Sequence, residues 1–297
     1  MLATALVNFC SGLLRAWGNS TVPLVWLAVS AILNIAWDLL FVAVFHWGIA
    51  GAAYATIFAQ YVSGIGILLY VLFRCRSLFP ERKDLCFDGG ILKEIAGLSS
   101  LTCLQQSVMN FGILMVQGLV NSFGATTMAA FAAAVKIDTF AYLPVQDFGN
   151  AYSTFIAQNY GAGNKERIRR GTKESFAIST AFSLVISALV FAFAAPLMQI
   201  FVSSAETAVI ASGVRYLRIE GAFYFGIGCL FLLYGYYRAI KRAEMSVVLT
   251  VISLGIRVLL AYVLSATFLG ETGIWMAIPI GWILADLTGL LYMRKTW

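Results

Sequence analysis

The chain has 297 residues, of which 61% are apolar and only 11% are charged, and its formal net charge is +6. A soluble domain is nearer half apolar and a quarter charged, so this composition argues against a soluble fold and is typical of helices immersed in lipid. The basic residues lie in short loops between apolar segments, so the positive charge does not indicate a nucleic-acid partner. A single histidine, His46, and five scattered cysteines without a CxxC pair give no support to a metal site, a redox site or an enzyme.

Long apolar segments recur along the chain and are separated by short polar loops. Residues 1–14 form a run shorter than the roughly 20 residues that a membrane span needs, so we interpret them as part of a span. One later segment, 125–158, contains Pro144 and Gly149, and we expect it to be bent or broken. The eight predicted full spans are residues 22–46, 49–73, 97–121, 125–158, 174–202, 208–236, 244–268 and 272–293.

Lysine and arginine occupy every second connection between the predicted spans. The turns near His46–Gly48, Asn121–Gly124, Val202–Glu206 and Leu269–Thr272 contain neither residue. Because cytoplasmic loops of membrane proteins are enriched in Lys and Arg, we predict a multi-pass protein of the cell membrane with its basic loops and C terminus in the cytoplasm. The basic residues of these connections are Arg15, Arg74, Arg76, Arg82, Lys83, Lys93, Lys165, Arg167, Arg169, Arg170, Lys173, Arg238, Lys241, Arg242, Arg294 and Lys295.

The chain contains an internal repeat. Residues 12–16 (GLLRA) resemble residues 235–239 (GYYRA), and in both places two further spans follow in the same membrane direction. This pattern is typical of transporters built from two parallel six-span lobes related by an axis along the membrane normal, with substrate sites near the midplane between the lobes. The predicted division is 1–74 for a remnant of the first lobe (partial span four, spans five and six), 75–92 for a cytoplasmic linker and 93–297 for the second lobe (spans seven to twelve). The repeat predicts about three and a half further spans, roughly 130 residues, upstream.

Several segments resemble the multidrug and toxic compound extrusion (MATE) family. They are residues 14–23 (LRAWGNSTVP), 34–38 (NIAWD), 48–56 (GIAGAAYAT) and 157–164 (AQNYGAGN) followed by Arg167. The resemblance covers essentially the whole chain and implies a two-lobed, twelve-span α-helical fold whose first lobe is incomplete here. It also implies export of amphipathic or cationic small molecules, such as drugs, by alternating access. The coupling ion would be H⁺ or Na⁺, no other cofactor would be needed, and we expect a monomer in the lipid bilayer.

The resemblance also implies a coupling site in the first lobe. Asn34, Asp38 and Thr56 match a hydrogen-bonded cluster that some family members build around an acidic residue in span one. Protonation of that cluster is thought to drive helix rearrangement; the alternative is a structural polar cluster. Many members also carry an acid in span seven and another late in span ten, whereas this chain has Gln105 and Gln106 in span seven and no acid in residues 222–233. This departure argues against a second-lobe sodium site and favours proton coupling in the first lobe.

Five ionisable residues of the second lobe lie about 11 to 14 residues in from the outer turns, near the midplane of a hydrocarbon core roughly 30 Å thick. Such residues are expensive in lipid and are functional candidates by default. We predict that they face inward and pair, most simply Glu220 with Arg257, either in a proton- or cation-sensitive network or in structural salt bridges. The five residues are Lys136, Asp138, Glu220, Arg257 and Asp286.

Polar, aromatic and methionine side chains of the second lobe are candidates for an adaptable drug cavity. Because residues 161–165 lack the spacing of a phosphate-binding loop, ATP is not expected to supply the energy. A lipid-linked sugar flippase of the same superfamily and an inactive fragment remain alternatives. The cavity candidates are Gln105, Gln106, Met109, Tyr142, Tyr152 and Tyr224.

Overall fold

The computed structural model describes residues 2–75 and 87–296, and within these ranges the chain is helical and contains no strand. It forms two compact units, Met1–Asp88 and Gly89–Trp297. Most of the predicted linker 75–92, including Arg76, Arg82 and Lys83, lies outside the described residues.

The described residues of the first unit form three helices. They are α1 (Leu2–Ala16), α2 (Thr21–Asp38), which continues as a π-helical segment (Leu39–Val44), and α3 (Gly48–Arg74). The Asn19 side chain accepts a hydrogen bond from the Val22 backbone N–H at 3.2 Å, which satisfies one of the unpaired donors at the start of α2. Apolar side chains of α1 and α3, together with Cys75, form the core of this unit.

Residues 89–296 of the second unit form seven helices. They are α4 (Gly89–Asn121), α5 (Ala125–Gly161), α6 (Lys165–Gln199), α7 (Thr207–Gly221), α8 (Tyr224–Ala239), α9 (Ala243–Ser265) and α10 (Glu271–Thr296). Glycines lie in two of the turns between helices. Gly124 has φ +97° and Gly163 has φ +69°, and a side chain would make these backbone conformations costly. The Asn164 side chain accepts a hydrogen bond from the Arg167 backbone N–H at 3.0 Å and thereby caps α6.

Seven helices in the described residues are long and apolar enough to span a membrane, and there are eight spans when α7 and α8 count as one bent span. The shorter apolar helix α1 corresponds to the partial span at residues 1–14. The prediction of an all-α polytopic membrane protein with eight full spans is therefore confirmed.

Helix breaks lie in two other places of the described second unit. Residues 208–236 do not form one straight helix, because α7 and α8 meet at an angle of 51°. Segment 125–158 is not broken: α5 is helical through Pro144 and Gly149. A second interruption lies in α6, where Phe193 has non-helical angles (φ −103°, ψ 17°) three residues before Pro196. The proline ring clashes with the preceding turn and removes one backbone hydrogen bond, which accounts for this kink.

Candidate functional site

The bend between α7 and α8 interrupts a membrane span at Ala222 and Phe223. The Phe223 N–H donates to the Glu220 carbonyl oxygen at 2.9 Å, and the Gly226 N–H donates to the Phe223 carbonyl oxygen at 2.8 Å. These tight turns replace regular helical bonds. Irregular backbone at membrane depth is tolerated where it is buried in protein or lines a cavity. Glu220 and Tyr224, on either side of the bend, both line a cavity of about 460 Å³.

Two buried carboxyl groups meet in this cavity. Asp138 of α5 is 3% exposed and Glu220 of α7 is 6% exposed. The Tyr224 hydroxyl donates a hydrogen bond to Asp138 Oδ1. The Asp138 carboxyl group also interacts with Tyr216 and with Glu220 itself. Asp138 Oδ2 and Glu220 Oε2 have no hydrogen-bond partner within residues 2–75 and 87–296, so the pair retains acceptor atoms that a proton or a cation could occupy.

Arg257 of α9 lies close enough to interact electrostatically with both acids. Among the described residues it forms no direct ion pair with either, and its Nε has no hydrogen-bond partner. The predicted direct pair between Glu220 and Arg257 is therefore wrong. Glu220 instead interacts with Asp138 and Tyr216, and the guanidinium group acts on the carboxyl pair from a longer distance.

The structure brings Lys136 to the same cavity as the carboxyl pair, whereas Asp286 does not line it. Lys136 is exposed, and its Nζ lies 5.7 Å from the centre of the Phe201 ring. Asp286 of α10 is 7% exposed and its carboxyl group contacts the Cys229 thiol. Four of the five expected residues therefore line one cavity and Asp286 does not, because equal depth in the membrane does not determine which way a helix face points.

Aromatic side chains complete the cavity around the carboxyl pair. The Phe131 and Trp275 rings stack with centres 5.5 Å apart, and Tyr216 contacts both rings edge-on. Three of the predicted cavity residues line this space, so an apolar and polarisable wall faces the charged groups. They are Met109, Tyr142 and Tyr224.

A second cavity of about 200 Å³ lies beside α4 and is more polar. Gln105, Gln106 and Met109 line it together with Arg238, whose Nη2 donates to the Asn150 side-chain oxygen at 3.3 Å.

Tyr152 lines neither of these cavities, so its assignment to the drug cavity is corrected. Its hydroxyl oxygen lies 2.8 Å from Thr172 Oγ1, and the side chain is packed between α5 and α6.

In the first unit, the structure brings two of the three predicted coupling residues together. Asn34 Nδ2 donates to Thr56 Oγ1 at 3.4 Å, and Thr56 Oγ1 donates to the Ala52 carbonyl oxygen at 3.0 Å. Asp38 is the last residue of α2, directly before the π-helical segment. Its Oδ1 is buried and has no hydrogen-bond partner among the residues described.

Sequence reasoning missed two features of the second unit. Tyr216, four residues before Glu220, belongs to the buried carboxyl site. Glu271 joins three helices: it accepts hydrogen bonds from Thr127 at 2.9 Å, from Ser212 at 3.1 Å and from Arg215 at 3.3 Å. The i, i+4 spacing of Tyr216 and Glu220 could have indicated the first feature. The position of Glu271 as an acid in a turn without basic residues could have indicated the second.

Comparison with known proteins agrees with this architecture. Residues 101–263, more than half of the chain, match the family model described as MatE. The chain belongs to the MatE family. This is a family of transporters, not of enzymes, and the apolar helices of this MatE protein make it a multi-pass membrane protein.

Relatives of this MatE protein support the assignment. The chain is 32% identical to the probable multidrug resistance protein YpnP of Bacillus subtilis over 97% of its own length and 64% of that protein. It is 27% identical to the probable multidrug resistance protein NorM of Thermotoga maritima, over 95% of the chain and 61% of that protein. The chain therefore spans somewhat less than two thirds of the length of these relatives.

Solved structures share the fold. A MATE transporter of Vibrio cholerae superposes with a TM-score of 0.90 at 23% identity, over 98% of this chain and 65% of that one. A MOP superfamily transporter of Pyrococcus furiosus gives a TM-score of 0.91 at 25% identity, over 98% and 65%.

The charge balance limits what the MatE carboxyl site can hold. The Arg257 guanidinium group acts on both carboxyl groups, whereas Lys136, which lines the same cavity, is exposed and lies beside Phe201. Two ionised carboxylates would therefore leave one negative charge without a close partner among the described residues. An uncompensated charge in a low-dielectric interior costs several kcal/mol. One proton, one metal cation or one organic cation would remove the imbalance, whereas an anion would increase it.

Proposed function

We propose that this MatE protein is a secondary active exporter of amphipathic or cationic small molecules, driven by inward movement of a cation, most simply a proton. The observation that carries the proposal is the buried Asp138–Glu220 pair, which faces a cavity with aromatic walls and has one arginine nearby. The names of the relatives as multidrug resistance proteins support the substrate class. The basic loops lie on the cytoplasmic side in this proposal.

The proposed exchange depends on one unmatched negative charge. A proton held between Asp138 and Glu220 neutralises the site when no substrate is present. An organic cation that enters the cavity supplies the same charge and contacts the aromatic walls through cation–π interactions. Because both cannot be held without excess positive charge, binding of the substrate releases the proton and rebinding of a proton releases the substrate.

The geometry favours this pair over the first-unit residues as the principal coupling site. Asp138 and Glu220 interact with each other and are both nearly inaccessible. In the first unit, Thr56 is exposed, its contact with Asn34 is long at 3.4 Å, and Asp38 takes no part in that contact. Asn34, Asp38 and Thr56 remain a second candidate site for the coupling proton.

The first test measures proton release on binding. The purified chain in weakly buffered detergent is titrated with tetraphenylphosphonium, a lipophilic cation. We expect about one proton released per bound cation in the unchanged chain and essentially none in Glu220→Gln or Asp138→Asn. Glu244→Gln, an exposed acid in the first turn of α9, is the matched control and should behave like the unchanged chain. Unchanged proton release in both site variants would refute the proposed site.

The second test measures transport. Dye efflux from vesicles is recorded under a pH gradient and, separately, under a sodium gradient. We expect the pH gradient to drive efflux, and Glu220→Gln and Asp138→Asn to reduce that efflux to about a tenth or less. If Asp38→Asn alone abolished efflux while both second-unit variants transported normally, the coupling site would lie in the first unit. Efflux driven by sodium alone would identify sodium as the coupling ion.

A further inference from the structure

A basic cavity of about 650 Å³ lies where α5, α8 and α10 end and where α6 and α9 begin. It is distinct from the carboxyl site and shares no lining residue with it. Its described lining residues include four basic side chains and one acid, Glu166. The basic residues are Lys165, Arg169, Arg242 and Lys295.

Two helix starts add to the positive potential of this cavity. Lys165 is the first residue of α6, and Arg242 directly precedes α9, whose first residue is Ala243. The beginning of a helix carries partial positive charge and unpaired N–H groups, so it stabilises an anion. Arg242 is also held in place, because its Nη1 donates to the Tyr292 hydroxyl at 2.7 Å. The cavity therefore combines fixed and side-chain positive charge, as a site for an anion does.

An exposed apolar stripe leads along α10 to this cavity. Leu284, Leu287 and Leu291 lie on the same helix face as Lys295 and are 38%, 53% and 61% exposed. From Leu284 to Lys295 the helix rises about 16 Å, which is about half of a hydrocarbon core roughly 30 Å thick. The stripe thus has the length of one lipid leaflet and ends at the positive charge. A free anion would not contact this apolar stripe, whereas a lipid acyl chain could pack along it.

We propose that this cavity binds the headgroup of an anionic phospholipid, with the phosphate near Lys165, Arg242 and Lys295 and an acyl chain along the α10 leucines. The ligand needs both parts: the negative phosphodiester is attracted to the basic side chains, and the hydrocarbon chain covers the exposed stripe. The site is independent of the proposed transport cycle, because no group of the carboxyl pair takes part in it.

The test counts lipids bound to the purified chain by native mass spectrometry. Phosphatidylglycerol and phosphatidylcholine with identical acyl chains are compared as probes. We expect phosphatidylglycerol to bind at least about tenfold more tightly, and the combined substitution Lys165→Gln, Arg242→Gln and Lys295→Gln to remove that preference. The charge-preserving variant with Lys165→Arg, Arg242→Lys and Lys295→Arg should retain it.

The matched control removes three basic residues from α6 and α10 that do not line the cavity, through Arg170→Gln, Lys173→Gln and Arg294→Gln. We expect this control to keep the preference for phosphatidylglycerol. Equal loss in both triple variants would show general surface attraction and overturn the proposal. Equal affinity for the two lipids would also overturn it. Displacement of bound phosphatidylglycerol by an equal concentration of inorganic phosphate would identify a free-anion site in place of a lipid site.

Discussion

The substitution Gly235→Ala tests the close packing of α5 against α8, which holds the carboxyl site in place. A β-carbon at Gly235 would lie 2.6 Å from the Gly149 carbonyl oxygen, and one at Gly149 would lie 3.0 Å from the Phe231 carbonyl oxygen. The two backbones therefore touch where glycine faces glycine, as in other membrane helix pairs that pack through small residues. The Ser153 hydroxyl also donates to the Gly235 carbonyl oxygen at 2.9 Å across the same interface.

The magnitude follows from this geometry. The added methyl group is roughly 0.8 Å too close to a backbone atom that cannot rotate away, so the helices must separate or bend. Overpacking of this kind costs about 1–3 kcal/mol, and the better helix propensity of alanine returns up to about 1 kcal/mol. We expect a net loss of about 1–2 kcal/mol, which lowers the thermal midpoint by roughly 2–8 °C.

The assay is thermal unfolding of the purified chain in detergent, followed by circular dichroism. Gly255→Ala in α9 is the matched control, because a β-carbon there meets no atom within 4 Å. This control should be neutral or slightly stabilising. If Gly235→Ala had the same midpoint as Gly255→Ala, the backbone contact between α5 and α8 would not limit the packing, and the reasoning would be refuted.

Two further stability predictions concern polar contacts. Glu271→Ala removes three hydrogen bonds and should lower the free energy of unfolding by about 1–3 kcal/mol. Arg215→Ala, at an exposed ion pair, should lower it by less than about 1 kcal/mol. Equal losses in chemical unfolding curves would contradict this ranking. Tyr152→Phe removes the hydrogen-bond partner of Thr172 and should lower the free energy of unfolding by about 1 kcal/mol. The affinity for tetraphenylphosphonium should stay the same, and a weaker affinity in titration calorimetry would show that Tyr152 contributes to cation binding.

The length of the apolar segments predicted the spans well but underestimated the length of two helices. The sequence predicts spans from residues 97 and 174, whereas α4 begins at Gly89 and α6 at Lys165. Lipid selects only the apolar part of a helix, while the helix itself continues into water as long as its residues and its cap allow. Asn164 supplies such a cap for α6, so its first two turns are polar and still helical.

The location of the bend between α7 and α8 was not predictable in the same way. Gly221 borders it, but the chain has 26 glycines, and most of those in the second unit lie inside continuous helices. The cost of a glycine in a helix, about 1 kcal/mol, is too small to break a span by itself. A β-carbon at Gly221 would lie 3.2 Å from Val190 of α6, so glycine suits the close packing at the end of α7.

Membrane depth identified the charged residues of the site but not their partners. At one level of the second lobe the sequence places three acids and two bases, an excess of one negative charge spread over four helices. In the structure, Asp286 contacts Cys229 and does not line the cavity, whereas Lys136 lines the cavity but is exposed and lies near Phe201. The excess of one negative charge is thereby concentrated on Asp138 and Glu220, and within the described part of the chain Arg257 is the base that acts on both acids. A diffuse excess could be screened by many small adjustments, whereas a localised and buried one requires a single cation. This localisation turns a pattern of costly residues into a specific binding hypothesis.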